Sequence, residues 1–273
     1  MNNICGIAGY SLNRRARTDR TLAAQALLAA IAERGGDAVG YAYDDPDALG
    51  SAGRGSAVVV KQRTPASKLL EQVSVPATAS EVIVHVRAFT KGHPSIAANN
   101  HPIRHGPVVG VHNGRILNDD ELLGEHECAR AEPEMTVDSE AVFAIAAHSR
   151  GQARAFEALE GSMAAAWLDE RRPGVVHVAR GVGRPLWLGE SPDGVFFAST
   201  EHALGVVEQY CAPSLRTREV DEGTVLALRH GKIVRRQSFR PHDYVEPDAA
   251  PAELGLRERD ACLRRLALIA ATV

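Results

Sequence analysis

Apolar and small residues run through this chain in short stretches, and the polar residues between them predict the elements. Asn3-Ile4-Cys5-Gly6-Ile7-Ala8-Gly9-Tyr10 reads as a short buried strand whose glycines let a second backbone or a ligand come close. Thr18-Asp19 offers a cap to a helix over Arg20 to Glu33, with Leu22, Ala26, Ala29 and Ala30 on one face. Arg34-Gly35-Gly36-Asp37 then ends that helix on glycine and opens a strand over Val39 to Tyr43. The order is wrong for a dinucleotide-binding loop, in which the glycines follow a strand and open a helix.

Further on, Ala57 to Lys61 and Glu81 to Val86 are strands and Ser67 to Val73 is a short helix. Ala88 to Arg104 reads as loop. Pro107 to His112 is another strand, closed by a turn at Asn113-Gly114. Helices are expected over Leu117 to Glu127 and Val137 to His148. From Ser162 the pattern is strand after strand, over Ala164 to Leu168, Val175 to Ala179, Leu186 to Gly189, Val195 to Ser199, Thr224 to Leu228 and Lys232 to Arg236. A short helix over Glu201 to Val207 interrupts them. Antiparallel strands with helices early and between them predict an α+β sandwich. The Pro- and acid-rich stretch 241–252 reads as a linker, and 253–273 as an amphipathic helix, either a docked tail or a handle for a partner.

Composition narrows the class. The 273 residues are 45% hydrophobic and 24% charged, as in an ordinary globular protein, and the net charge of -3 gives no case for nucleic acid or an anionic membrane. Neither a signal-peptide core nor a membrane-spanning run is visible. Cys5, Cys128, Cys211 and Cys262 lie far apart without CxxC spacing, which argues against a disulfide framework or structural zinc and for a reducing, cytoplasmic setting. His85, His93, His101, His105 and His112 are irregularly spaced with no acid among them, so no metal is expected.

Several residues carry candidate chemistry. Cys5 is a nucleophile if residues 1–4 are removed, because it then bears its own α-amine, a base that titrates near pH ~8; a small core hydrophobe is the plainer reading. Arg87, where a strand meets a loop, suits a small carboxylate, or is a solvated charge. Asn113 with the Gly114 N–H can form an oxyanion hole or only a turn. Asp138 can cap a helix or hold an α-ammonium group.

Taken in order, Cys5-Gly6-Ile7-Ala8-Gly9, Arg34-Gly35-Gly36-Asp37-Ala38-Val39-Gly40, His85-Val86-Arg87 with Thr90 and Gly92, Asn100-His101-Pro102, Val111-His112-Asn113-Gly114 with Asn118, and Asp138-Ser139-Glu140 resemble the glutaminase domain of class II glutamine amidotransferases. Ala179-Arg180-Gly181 with Arg184-Pro185-Leu186, and Ala198-Ser199-Thr200-Glu201, extend the likeness, which spans about Ile4 to Val234. It is nearest the glucosamine-phosphate synthase and amidophosphoribosyltransferase type.

The resemblance implies a four-layer αββα fold of the N-terminal nucleophile hydrolase type with a C-terminal helical tail. The domain division is 1–4 as a possible propeptide, 5–240 as the glutaminase domain, 241–252 as linker and 253–273 as the helix. It implies glutamine hydrolysis to glutamate and ammonia through a Cys5 thioester, without a cofactor. Asn113 and Gly114 would hold the oxyanion, Arg87 the substrate carboxylate, and Asp138 its amino group. Thr90 and His101 would line the pocket. Ala88 and Lys91 depart from the aromatic residue and histidine of some relatives. Because little chain follows Arg236, a separate ammonia-accepting synthase subunit is expected; a stand-alone hydrolase of another γ-glutamyl amide and a non-catalytic glutamine-binding module are the alternatives.

Overall fold

The computed structural model describes residues 5–45, 56–125, 128–211, 214–245 and 253–272; residues 1–4 and most of the expected linker lie outside them. The first half of the chain is β1 (Gly6–Leu12), α1 (Arg20–Ile31), β2 (Ala38–Asp45), β3 (Ser56–Gln62), α2 (Ala66–Leu69), β4 (Glu81–Arg87), β5 (Ile103–His105), β6 (Val108–Ile116), α3 (Asp119–Glu125) and α4 (Glu140–Ser149). The second is β7 (Gly161–Asp169), β8 (Val176–Arg180), β9 (Trp187–Ser191), β10 (Gly194–Ala198), α5 (Glu201–Tyr210), β11 (Arg216–Glu219), β12 (Thr224–Arg229), β13 (Lys232–Ser238) and α6 (Glu253–Ala270).

The strands form two antiparallel sheets, one in the order β11-β9-β10-β1-β4-β2-β3 and the other β13-β12-β8-β7-β6-β5. Ile7, Ile83, Val109, Val111, Ala164, Ala166, Val178 and Phe197 fill the space between them. Alternate residues of the first sheet, Ala8, Tyr10, Val82, Val84 and Val86, pack instead against α1 and α5. On the far side Phe143 and Ile145 of α4 cover the second sheet with Trp167 and Phe156. Two apolar faces on each sheet therefore demand a helix layer outside each, which gives the α+β sandwich expected from the pattern, in the four-layer αββα form that the resemblance implies.

Local chemistry sets most boundaries. The Asp19 carboxylate accepts from the Leu22 N–H at 2.7 Å and caps α1. Three expectations are corrected. Gly35 is not a left-handed helix cap; its backbone is extended, and glycine is needed because a Cβ would lie 2.4 Å from the Arg87 carbonyl carbon. Asn113-Gly114 is not a turn but the interior of β6, because that strand pairs with β7 without a break from Val108↔Asp169 to Ile116↔Gly161. Asp138 does not cap α4: Ser139 holds the flanking position without a side-chain bond to the helix, and the Asp138 carboxylate is turned to the Ile116 N–H of β6. β5 and the polar edge strand β11 went unforeseen.

α6 is docked. Cys262 and Leu266 are fully buried in the core around α1, Arg259 pairs with Glu33 at 2.5 Å, and Glu258 accepts from the Ser67 N–H at 2.6 Å. A Cβ at Gly255 would lie 2.1 Å from the Glu33 carbonyl oxygen, so this glycine lets the helix lie directly on the end of α1.

Candidate active site

Cys5 stands at the head of β1, beside the end of β4. Its thiol donates to the Ala88 carbonyl at 3.2 Å and accepts from the Ala88 N–H at 3.4 Å, while the Arg34 Nε–H donates to the Cys5 carbonyl at 2.9 Å. Burial pushes the thiol pKa up; Arg87 and Arg184 pull against that and Asp138 adds to it, so both arginines and the carboxylate lie within electrostatic reach of the sulfur. The resting group is a thiol, which needs a base to become a nucleophile. Burial and the neighbouring Arg184 also bring the Arg34 guanidinium down to about 10.

Arg87, the last residue of β4, is buried and its guanidinium is oriented from several sides. Nη1 donates to Asn100 Oδ1 at 2.6 Å, and Nη2 donates to the carbonyls of Lys91 and Gly92 at 3.0 and 2.5 Å. The strand end is itself pinned, since the Asp37 N–H donates to the Arg87 carbonyl at 3.0 Å and the Asp37 carboxylate accepts from the Phe89 N–H at 2.9 Å. Thr90 follows, exposed, on the same loop.

Asn113 is fully buried on β6, and among the described residues neither of its side-chain polar atoms has a hydrogen-bond partner. Buried amides rarely stay unpaired. Next to it Gly114 adopts φ 146°, where a Cβ would lie 2.0 Å from the Ser162 carbonyl oxygen. Only glycine suits both the dihedral and the space. The neighbouring histidines hold this strand. His85 donates from Nε2 to the His112 carbonyl at 3.1 Å, and His112 bonds Ser139 Oγ at 2.8 Å and the Ser162 carbonyl at 3.3 Å. Burial lowers both imidazoles to about 3, so they act as neutral ties. His101 is buried behind them, its ring stacked on His85 at 4.2 Å. His93 bonds Ser95 and His105 pairs with Glu140.

Asp138 precedes α4 and is buried; it accepts from the Ile116 N–H at 2.7 Å, and burial raises its pKa to about 6. Around it Lys91 bonds Asp119 through both carboxylate oxygens at 2.8 and 2.7 Å, and Arg130 bridges Asp119, Asp120 and Glu140.

The structure thus brings Cys5, Arg87 and Asp138 within electrostatic reach of one another and ties the strand of Arg87 to that of Asn113 and Gly114. Thr90 stands on the loop after Arg87, and His101 lies in the interior behind His85. Sequence reasoning did not assign roles to Arg34, Asn100, Ser139 or Asp119. Their contacts orient other groups, and only the three-dimensional structure shows that, although Arg34, Asn100 and Ser139 sit inside motifs that carry the resemblance.

Residues 85–205 match the family model of the glutamine amidotransferase domain. Curated relatives include glutamine–fructose-6-phosphate aminotransferases (isomerizing) of Caulobacter vibrioides, 33% identical over 69% of this chain and 32% of the relative, and of Rhizobium meliloti, 32% identical over 74% and 32%. The chain therefore spans about a third of the length of the curated relatives it matches. Among solved structures, the glutamine phosphoribosylpyrophosphate amidotransferase of B. subtilis aligns over 86% of this chain and 49% of its own with a TM-score of 0.64 at 19% identity, a likeness of fold.

Proposed function

Because this chain carries a glutamine amidotransferase domain of the class II, N-terminal nucleophile type, we propose that it hydrolyses the side-chain amide of L-glutamine and passes the ammonia to a synthase partner in trans. The observation that carries the proposal is the buried Asn113 amide, without a hydrogen-bond partner among the described residues, beside the positive-φ Gly114. A buried donor without an acceptor costs stability, and an oxyanion would supply the acceptor for the Asn113 Nδ2–H.

In this reading residues 1–4 are removed and Cys5 keeps a free α-amine. The amine takes the thiol proton, directly or through water, which overcomes the high pKa that burial imposes on the sulfur. The sulfur attacks the amide carbon. The oxyanion is held by Asn113 Nδ2 and the Gly114 N–H in a site where water competes poorly. Collapse, with the Cys5 α-ammonium returning its proton to the leaving nitrogen, releases ammonia and leaves a Cys5 thioester. Water activated by the same amine then hydrolyses it to glutamate, and the proton goes back to the thiol.

Arg87 takes the α-carboxylate and the Asp138 carboxylate takes the α-ammonium group. Thr90 lines the mouth of the pocket and His101 its floor. A site that pairs both charged ends of an amino acid rejects analogues that lack either. The four cysteines form no disulfide among the described residues, which suits a reducing compartment, so we place the reaction in the cytoplasm. Among the described residues no helix is long and apolar enough to cross a membrane.

The test is intact mass before and after treatment with the glutamine analogue 6-diazo-5-oxo-norleucine. Loss of Met1 to Ile4 with one adduct on Cys5 supports the proposal. A full-length mass, no adduct and no glutamine turnover overturn it, and glutamine binding in that case would identify a binding module.

A further inference from the structure

We propose that Lys91 is the positioning residue that sets both ends of the glutamine site. This rests on the glutaminase reading above and names the residue that would tune its affinity. Among the described residues Lys91 makes no hydrogen bond to the sulfur or the oxyanion groups; it acts through what its main chain and its charge hold in place.

Three observations converge on this residue. First, the carbonyls of Lys91 and the adjoining Gly92 receive the two hydrogen bonds from Arg87 Nη2, at 3.0 and 2.5 Å. The loop's position therefore decides where the guanidinium points. Second, the half-buried Lys91 ammonium is clamped by Asp119, whose side chain is only 2% exposed, with Asp120 as a further partner at 3.0 Å. That clamp fastens the loop to α3. Gly92 then turns with φ 79°, and a Cβ there would lie 2.9 Å from Asn99 Cγ, so the loop has one way through. Third, the Lys91 charge lies close enough to Asp138 to favour its carboxylate form, opposing burial and the like charge of Asp119.

The charged groups around Asp138 are Asp119 on α3, Lys91 on the loop, Arg87 at the end of β4 and Cys5 at the head of β1, with the Ile116 N–H of β6 as hydrogen-bond donor. Of these, Lys91 alone is bonded through its side chain to Asp119 and through its main chain to Arg87. An ion pair that binds a loop to a helix and a backbone that cradles the carboxylate-binding arginine form one mechanical unit. Fixing that unit in advance lowers the ordering cost when substrate binds.

The experiment compares the wild-type chain with Lys91→Met, which keeps the apolar stem without charge, and Lys91→Arg, which restores the charge. Glutamine hydrolysis is followed as kcat and KM across pH 4.5 to 8, and iodoacetamide alkylation of Cys5 reports whether the nucleophile site is intact. Lys91→Met is expected to raise KM about tenfold with kcat within about twofold, the pattern of lost ground-state binding. The acidic limb of kcat/KM moves to higher pH, because Asp138 loses a cation that favours its charged form. Lys91→Arg recovers most of the affinity, and Cys5 alkylates at the wild-type rate in both variants. Unchanged KM and limb in Lys91→Met overturn the inference and leave the glutaminase reading standing. Equal impairment of both variants with faster alkylation of Cys5 also overturns it, since that marks a general structural loss. A wild-type chain that neither turns over glutamine nor takes the diazo-oxo-norleucine adduct removes the glutaminase reading and this inference with it.

Discussion

The Nε2–H of His85 reaches across the sandwich to the carbonyl of His112 at 3.1 Å. Arg87 lies two residues along one strand and Asn113 one residue along the other, so this bond sets the spacing between the two halves of the site. A carbonyl only accepts, so the proton sits on Nε2 and Nδ1 is bare. Burial keeps the ring neutral at any working pH.

His85→Phe keeps the ring packed against His101 but removes that donor. The buried His112 carbonyl is left unpaired, which costs about 1–3 kcal/mol of stability. Urea denaturation should show the loss, and turnover should fall with it because Asn113 is less firmly placed. A variant as stable and as active as wild type would show that packing alone sets the spacing.

Asn113→Ala separates function from stability. A single lost oxyanion donor costs about 10²- to 10³-fold in kcat. The amide has no partner among the described residues to lose, so the unfolding midpoint should stay close to that of wild type. Steady-state kinetics with thermal melts read both effects. A large drop in melting temperature with little change in kcat would place Asn113 in the scaffold.

At the opposite end of β1 a buried carboxylate predicts a pH effect on folding. Glu81 accepts from Ser11 Oγ and the His230 N–H, both at 3.2 Å, and burial raises its pKa to about 7. Asp44 nearby is raised to about 6, again by burial. The folded state thus holds these protons more tightly than the unfolded chain. Their contribution is most favourable below the ordinary carboxylate range and is lost as pH rises through about 6 to 7. Glu81→Gln keeps an acceptor for Ser11 and the backbone and removes the ionisation. It should be more stable than wild type at pH 8, by about 3 kcal/mol, and nearly equal at pH 4.5. Parallel denaturation curves at the two pH values would refute this.

Much of the fold is legible from alternation of apolar and polar residues, because both sheets are covered on both faces and their strands are rich in Val, Ile and Ala. What is not legible follows from physics acting at a distance. Asn-Gly is a strong local turn signal, yet nine consecutive pairings with β7 carry the strand straight through it. β11, Arg-Thr-Arg-Glu, has no apolar pattern and is a strand only because it pairs with β9. The candidate site shows the same division. Cys5, Arg87, Asn113 and Asp138 stand out by residue type and order, whereas Lys91 shows in the sequence only as a departure from the histidine of some relatives, and its pairing with Asp119 appears only when the loop and α3 are seen together.

The last prediction concerns α6, which the sequence left open between a docked tail and a handle for a partner. Leu266 is fully buried against the α1 core while Leu254 and Leu268 are 78% and 72% exposed, so one face is spent on this domain and another is free. Leu266→Ala should cost about 2–5 kcal/mol, as for a leucine removed from a packed core. The damage should reach the site, because α6 braces Glu33, the neighbour of Arg34, and Arg34 holds the Cys5 carbonyl. Cys5 in Leu266→Ala should therefore alkylate faster than in wild type. Leu268→Ala, on the exposed face, should alter neither stability nor alkylation. If both variants behave like wild type, the helix contributes nothing to the domain and its bonds to Glu33 and Ser67 are incidental.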